Sequence, residues 1–408
     1  MVDWIKPADA QEVLDAVADA VASESPLELL GRGSKRSLGR PFQAARALDL
    51  SGLSGIATYE PEELVMTALP GTPIAEIEAA VAAKNQMLAF EPMDLGPLLG
   101  GSAAMGSIGG AFAANLAGPR RIKAGAARDH LLGFRGVSGR GEAYKAGGKV
   151  VKNVTGYDLS KLITGSFGTL TALTEITFKV VPRPEKTRTV LVFGLEDARA
   201  LEAMAAALAS PHEVAAAAHL PAALAAGSAV SYVAGAGAAA TGLRIEGPAP
   251  SAVHRCRELK EMLSRYGPVE ELHGQNSARF WREIRDVEAF IGHSERPVWR
   301  ISVAPSTGAA VVAEIARQGD ARAYYDWGGG LIWLELGLTM EHAGAAVVRR
   351  ALAASGGHAT LIRAPREVRA VVPVFQPQPD PLARLTQRVK ASFDPKRILN
   401  PGRMYAGV

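Results

Sequence analysis

From residue 96 to residue 168, 17 of 73 positions are glycine, against 43 in the whole chain of 408. Glycine at that density supplies positive φ and close backbone approach at many places. The stretch is therefore expected to be built from loops wrapped around something. It closes with a strand-like run at 173–181, which Pro182 and Pro184 stop. The segment 182–186 is the expected domain boundary. Dividing there gives 1–184, then 185–379, with 380–408 returning to the first domain.

Upstream, Val13, Leu14, Val17 and Val21 fall on one face of an amphipathic helix over 9–22. Residues 27–30, 47–50 and 64–68 read as strands, and 74–83 as a helix. That order describes a small α+β unit, not a long alternating βαβ series. Downstream, strands are predicted at 187–194, 214–220, 243–246 and 269–273, with helices at 197–209 and 251–266. After a helix at 277–291 the order repeats, with strands at 299–303, 321–325, 331–336 and 358–363 and helices near 311–317 and 342–354. Two tandem ferredoxin-like β-α-β-β-α-β units predict one continuous antiparallel sheet with helices on one face.

Composition excludes several classes. Net charge is only +4 and no long basic run occurs, which argues against nucleic acid as a partner. One cysteine, Cys256, rules out an internal disulfide framework, suits a reducing compartment and reads as a plain structural thiol. The first ten residues carry Asp3 and Asp9 and no apolar signal core, so a cytoplasmic protein is expected. Residues 214–243 hold no Lys, Arg, Asp or Glu, but they are mostly Ala and Gly and do not read as a transmembrane helix. Part of this charge-free stretch is expected to be covered only by another subunit. Within it, 235–240 fits a dinucleotide fingerprint after a strand-like run at 230–233. Gly242, Gly247, Pro248 and Pro250 then interrupt any following helix, so a NAD site is not expected.

Three segments carry chemistry. The first, Gly31, Arg32, Gly33, Ser34 and Lys35, follows a strand and offers backbone N–H groups, a hydroxyl and two cations to phosphate oxygens. Taken alone, it reads more readily as a solvated turn. The second spans 100–118. There Gly106, Gly109 and Gly110 would let the backbone reach a bulky cofactor, while Ser102, Ser107 and Asn115 could bond it; tight helix packing is the alternative. The third spans 148–169 and contains Lys152, Asn153, Gly165 and Gly168, with a capped helix at Asp158 or Ser160 as its bland reading.

In this order and at these intervals the segments resemble the FAD-binding domain shared by vanillyl-alcohol oxidase, the p-cresol methylhydroxylase (PCMH) group and the D-lactate and glycolate dehydrogenases. The resemblance covers 27–181, and 400–403 (Asn-Pro-Gly-Arg) is similar to the family's closing motif. It implies a PCMH-type domain of two α+β subdomains, with the pyrophosphate on the first loop and the flavin enclosed by the other two segments. Motifs at 153–159, 326–329 and 356–360 look like the E-subunit branch of bacterial glycolate oxidases. That branch implies a hetero-oligomer with a catalytic flavoprotein and an iron–sulfur subunit, acting on a 2-hydroxy acid at the inner membrane face. Residues 31–40 hold no His, so FAD is expected to be non-covalent. The His-x-Gly-Asp-Gly-Asn-x-His metal motif of the relatives is missing, and no metal site is expected.

In the antiparallel cap, Arg300, Trp327, His358 and Arg363 lie on or beside predicted strands and are the candidates for substrate contact. Core packing is the competing account of each. A self-sufficient FAD-dependent dehydrogenase and a structural subunit that holds FAD for folding also remain open at this point.

Overall fold

The computed structural model describes residues 3–149, 156–293 and 295–408, arranged as two compact units. The first comprises residues up to 117, 125–183 and 373–408; the second comprises 118–124 and 184–372.

The first unit has two α+β parts. Asp9 caps the helix Ala10–Ala22, whose Val13, Val17 and Ala20 are fully buried. They pack on a parallel sheet of β1 (Asp3–Ile5), β2 (Leu27–Leu30) and β3 (Arg46–Asp49), in the order β1-β3-β2. The chain continues through β4 (Ile56–Glu60), β5 (Val65–Ala68), β6 (Gln86–Met87), β7 (Leu131–Ser138), β8 (Ala143–Gly147), β9 (Thr171–Lys179) and β10 (Val181–Pro182). Five of these strands form an antiparallel sheet, β4-β5-β9-β7-β8, and β6 pairs with β10. Its core gathers Phe90, Phe112, Phe134 and Phe178 beneath the helix Ile74–Ala82.

The glycine-rich stretch is not all loop. Its β7 lies inside the five-stranded sheet, between β9 and β8, and its glycines hide the apolar alternation that would have revealed it. They are glycines because the neighbouring strands come too close. A Cβ on Gly133 would sit 2.7 Å from Gly148 N, and one on Gly136 would sit 2.8 Å from Ala172 O. In the third segment, Asp158 caps the short helix Leu159–Ile163.

A buried ion pair fastens the C-terminal segment. At the end of the helix Asp380–Phe393, Lys390 Nζ donates to Asp394 Oδ2 (2.7 Å), Thr169 O (2.7 Å) and Leu399 O (2.9 Å). Asp394 also accepts from Ile398 N and Leu399 N, both at 2.8 Å. These bonds fill the donor capacity of the ammonium and turn the chain so that Leu399 bridges Leu27 of β2 in parallel.

The second unit contains β11 (Lys186–Phe193), β12 (Ala216–Leu220), β13 (Ala240–Gly247), β14 (Val269–His273), β15 (Val298–Ser302), β16 (Ala321–Asp326), β17 (Leu331–Leu336) and β18 (His358–Arg363). They form one antiparallel sheet in the order β14-β11-β13-β12-β16-β17-β15-β18. Each half follows the ferredoxin-like order, and the halves meet where His219 of β12 pairs with Tyr325 of β16.

Three expectations need correction. The helix Gly274–Arg285 lies on the opposite face from Ala249–Leu263: its Trp281 donates to Thr189, while Cys256 of the other helix lies near Arg188. Gly242 makes room for it, since a Cβ there would be 2.6 Å from the Phe280 ring. Residues 231–234 are a helical turn, not a strand. Just over half of the charge-free stretch is interior to its own unit, with Ala216, Ala217, Ala218 and Val233 fully buried, so the composition of that part needs no partner to explain it. Cys256 is buried too, and burial pushes its thiol up to about 12, consistent with an inert structural role. No helix among the described residues is long and apolar enough to cross a membrane.

Lys390→Met strands the Asp394 carboxylate in the interior. It is expected to lower stability by about 3–5 kcal/mol, read as a drop in the chemical-unfolding midpoint. An unchanged midpoint would show that the pair does not hold the segment.

Candidate cofactor site

In the first unit a cleft of about 730 Å³ of empty space opens where β2 ends. Its walls bring together Gly31, Arg32, Gly33, Ser34, Lys35, Ser107, Gly109, Gly110 and Gly168 from the three glycine-rich segments. Ser102 is exposed and, like Gly106, Asn115 and Gly165, does not line the cleft. Asn115 instead accepts a hydrogen bond from Arg128 N at 3.2 Å. Lys152 and Asn153 lie outside the described residues.

The first loop is built to receive an anion. Gly33 takes φ +76°, with nothing within 4 Å of where its Cβ would be. The N–H groups of Gly33, Ser34 and Lys35 have no hydrogen-bond acceptor among the described residues. Among the described residues Arg32 Nε is buried without a hydrogen-bond partner, and Lys35 Nζ bonds only the Ser34 hydroxyl, at 3.1 Å. Burial pulls the Lys35 ammonium down to about 8, against the attraction of Asp94. Donors left unmet this way fit a nucleotide diphosphate.

The second segment works mainly by being small. Gly109 N is already taken by Pro70 O at 2.9 Å, and a Cβ there would lie 2.8 Å from Pro70. Ser107 caps the helix Ile108–Ala113 by accepting from Gly110 N at 3.3 Å. A Cβ on Gly31 would come within 2.5 Å of the Ser107 hydroxyl, so loop and helix can approach only as they stand.

Residues beyond the three segments complete the cleft. Asn400 accepts from Leu29 N and donates to Phe167 O, both at 2.8 Å, which ties the end of β2 to the third segment. Arg403 donates to Lys35 O at 2.8 Å and so braces the first loop from behind. Both belong to the 400–403 motif, which was visible as a closing motif but not as cleft wall. Phe167, Thr171 and Leu173 supply an apolar side with no signal of its own in the sequence.

The second unit holds a separate polar cluster. Arg300 and His358 lie diagonally on one face, since Arg300 pairs with Thr360 and Ser302 with His358. The Arg300 guanidinium lies 5.0 Å from the centroid of Trp327, and that of Arg121 lies 4.2 Å from it. Trp327 sits at φ +53° at the tight turn between β16 and β17, with its indole N–H donating to Gly118 O at 3.1 Å. No hydrogen bond or ion pair engages the Arg300 guanidinium among the described residues. Burial lowers its proton affinity to about 10, with the Arg121 charge adding to the effect and Asp326 opposing it. Burial and then the Arg300, Arg121 and Arg349 charges also depress the His358 imidazole, leaving it neutral at pH 7.

Arg363 is not part of this cluster. It donates to Phe290 O (2.7 Å) and Arg296 O (2.8 Å) and pairs with buried Glu335 at 3.1 Å. A register shift at Val298/Trp299 aims it there. Among the described residues no group of three or more His, Cys, Asp or Glu side chains converges as a metal set would.

Residues 4–147 match the FAD binding domain family. The whole chain is 35% identical to glycolate oxidase subunit GlcE of Escherichia coli (strain K12), over 97% of both chains. The chain belongs to the GlcE family. This family member is an FAD-dependent oxidoreductase and its cofactor is FAD. Glycolate oxidase subunit GlcD of Bacillus subtilis (strain 168) is 32% identical, over 42% of this chain and 35% of GlcD. Among solved structures, p-cresol methylhydroxylase superposes with a TM-score of 0.70 at 16% identity, covering 98% of this chain and 88% of the other. Alkyldihydroxyacetonephosphate synthase gives 0.70 at 16%, covering 98% and 75%. At that identity the two establish the fold: a PCMH-type FAD-binding domain together with an antiparallel sheet.

Gly33→Asp puts a carboxylate beside the diphosphate and is expected to leave the purified protein colourless. Gly237→Asp, on an open turn of the second unit, should leave it yellow; the reverse pattern would misplace the flavin. Lys35 in the flavin-free protein loses its proton as pH rises through about 8. A bound diphosphate favours the charged form, so FAD affinity should hold below pH 8 and fall above it. Lys35→Met should weaken binding by roughly tenfold and flatten that pH dependence, as read by flavin-fluorescence titration.

Proposed function

We propose that this chain is the FAD-binding subunit of a glycolate oxidase-type complex and takes part in oxidising a 2-hydroxy acid, glycolate first, to its 2-oxo acid. One observation carries the reading: the identity to GlcE runs through 97% of both chains, and so includes the second unit as well as the flavin cleft. A catalytic flavoprotein resembling GlcD and an iron–sulfur subunit are the proposed partners. The reading places the complex in the cytoplasm, held at the inner membrane face through those partners.

Bound FAD supplies the two-electron oxidation of the substrate's C–OH to C=O. In this proposal the first-loop N–H groups with Arg32, Ser34 and Lys35 hold the diphosphate, and Gly109, Gly110 and Gly168 leave room for the cofactor. The flavin is bound non-covalently, in keeping with described cleft walls that contain no His, Cys or Tyr. Arg300 receives the substrate carboxylate, Trp327 walls it from water, and neutral His358 takes the hydroxyl proton. Arg363 has no role in this chemistry, its donors being engaged elsewhere.

Acid precipitation should release the yellow chromophore into the supernatant; colour kept in the pellet would refute non-covalent binding. Glycolate-dependent dye reduction is expected from the co-purified complex and to be slight from the isolated chain. Full turnover by the isolated chain would mark a self-sufficient dehydrogenase. Loss of activity when the subunit is omitted, but not when Gly33→Asp empties it, would mark a structural subunit. Because His358 must be neutral to accept a proton and its affinity is depressed, turnover should persist below pH 6.5 and fall only as His358 protonates. His358→Asn should remove that acidic limb.

A further inference from the structure

The segment 118–124 belongs to the second unit although residues of the first flank it on both sides in sequence. Two contacts fix it there. Arg120 makes a bidentate pair with Glu246 of β13, at 2.9 and 2.8 Å, and both side chains are nearly buried. Gly118 O receives the Trp327 indole N–H. The residue that follows them, Arg121, is exposed, yet its guanidinium lies over Trp327 at 4.2 Å, nearer than Arg300 at 5.0 Å. Two like charges over one indole repel each other; at Arg300 the attraction of Asp326 is smaller than this repulsion, and the guanidinium has no hydrogen bond or ion pair among the described residues. An anion bound at Trp327 would relieve both deficits, and a planar carboxylate matches the guanidinium fork.

We propose that Arg121 is a second carboxylate-binding residue, acting with Arg300 over Trp327, and that the Arg120–Glu246 pair is the positioning element that delivers it. This rests on the reading of Arg300 as the substrate-carboxylate receptor. It makes the site dicationic, and so one that favours small 2-hydroxy and 2-oxo acid anions over neutral alcohols. Arg120 touches no substrate; it acts by holding its neighbour in place.

The test is calorimetric titration of the full chain with oxalate and, separately, with glycolate, alongside flavin content and unfolding midpoint. Arg121→Gln is expected to weaken oxalate binding by roughly ten- to a hundredfold, with flavin content and midpoint unchanged because the side chain is exposed. Arg120→Gln should weaken binding in the same direction, and Arg120→Lys, which keeps an ion pair with Glu246, should restore most of it. The flavin-free Gly33→Asp variant should bind oxalate as the parent does, so failure of the flavin site cannot pass for failure of this one. If Arg300→Met abolishes binding while Arg121→Gln does not affect it, the inference falls and the underlying reading stands. If neither variant affects binding, or the parent shows no saturable binding, both fall. Equal loss in Arg120→Lys and Arg120→Gln would refute the positioning role.

Discussion

The first unit depends on one buried charge pair. Lys390 and Asp394 are both almost completely shielded from water, a costly state for isolated charges. It is sustainable here because every donor of the ammonium is used, and the carboxylate accepts two backbone N–H groups besides the ammonium. Close packing around the pair leaves no latitude: a Cβ on Gly139 would be 2.3 Å from the Asp394 carboxyl carbon. From that fixed point the chain runs along β2, and Asn400 and Arg403 follow directly. The flavin loop is thus held from behind by a segment whose own position is set by electrostatics.

Burial serves opposite ends in the two units. In the first it leaves Arg32 and Lys35 short of partners, so the loop is prepared for an anion before one arrives. In the second, three arginines close on Glu335 and satisfy it: Arg296 and Arg363 at 3.1 Å, together with Arg322. Arg300, two residues before Ser302 on the same strand face as His358, feels the charge of Asp326 but makes no side-chain ion pair among the described residues. Arginines of one sheet therefore divide into those that complete the interior and one that does not. The division is set by register and by which carboxylate lies opposite.

Much of the architecture was legible because short strand-like runs bounded by turn residues announce themselves. The runs at 27–30, 269–273, 331–336 and 358–363 coincide with β2, β14, β17 and β18. The repeated order of strands and helices after residue 186 likewise gave the ferredoxin-like pairing of the large sheet. The interior strand β7 was hidden because close strand approach replaced apolar residues with Gly133 and Gly136. Within the flavin cleft the first loop was readable from its residue types, whereas Asn400 and Arg403 enter only through contacts across most of the chain. Arg121 gave no signal at all, since nothing local says that 118–124 packs on β13 and Trp327. Arg363 and Arg300 look alike in sequence and are told apart by a single register shift.

The bond from Leu29 to Asn400 spans 371 residues. Contacts that distant form late, because the intervening chain must be ordered or at least gathered before they can close. The first glycine-rich loop is made early in synthesis but cannot acquire its back wall until the residues of the second unit have been added. During that interval the half-built cleft exposes Leu29, Phe167 and the apolar edge of β2, the kind of surface that recruits chaperones or aggregates. For this chain, then, flavin capture belongs to the end of biogenesis, and the supply of FAD at that moment bears on how much of the protein survives to work.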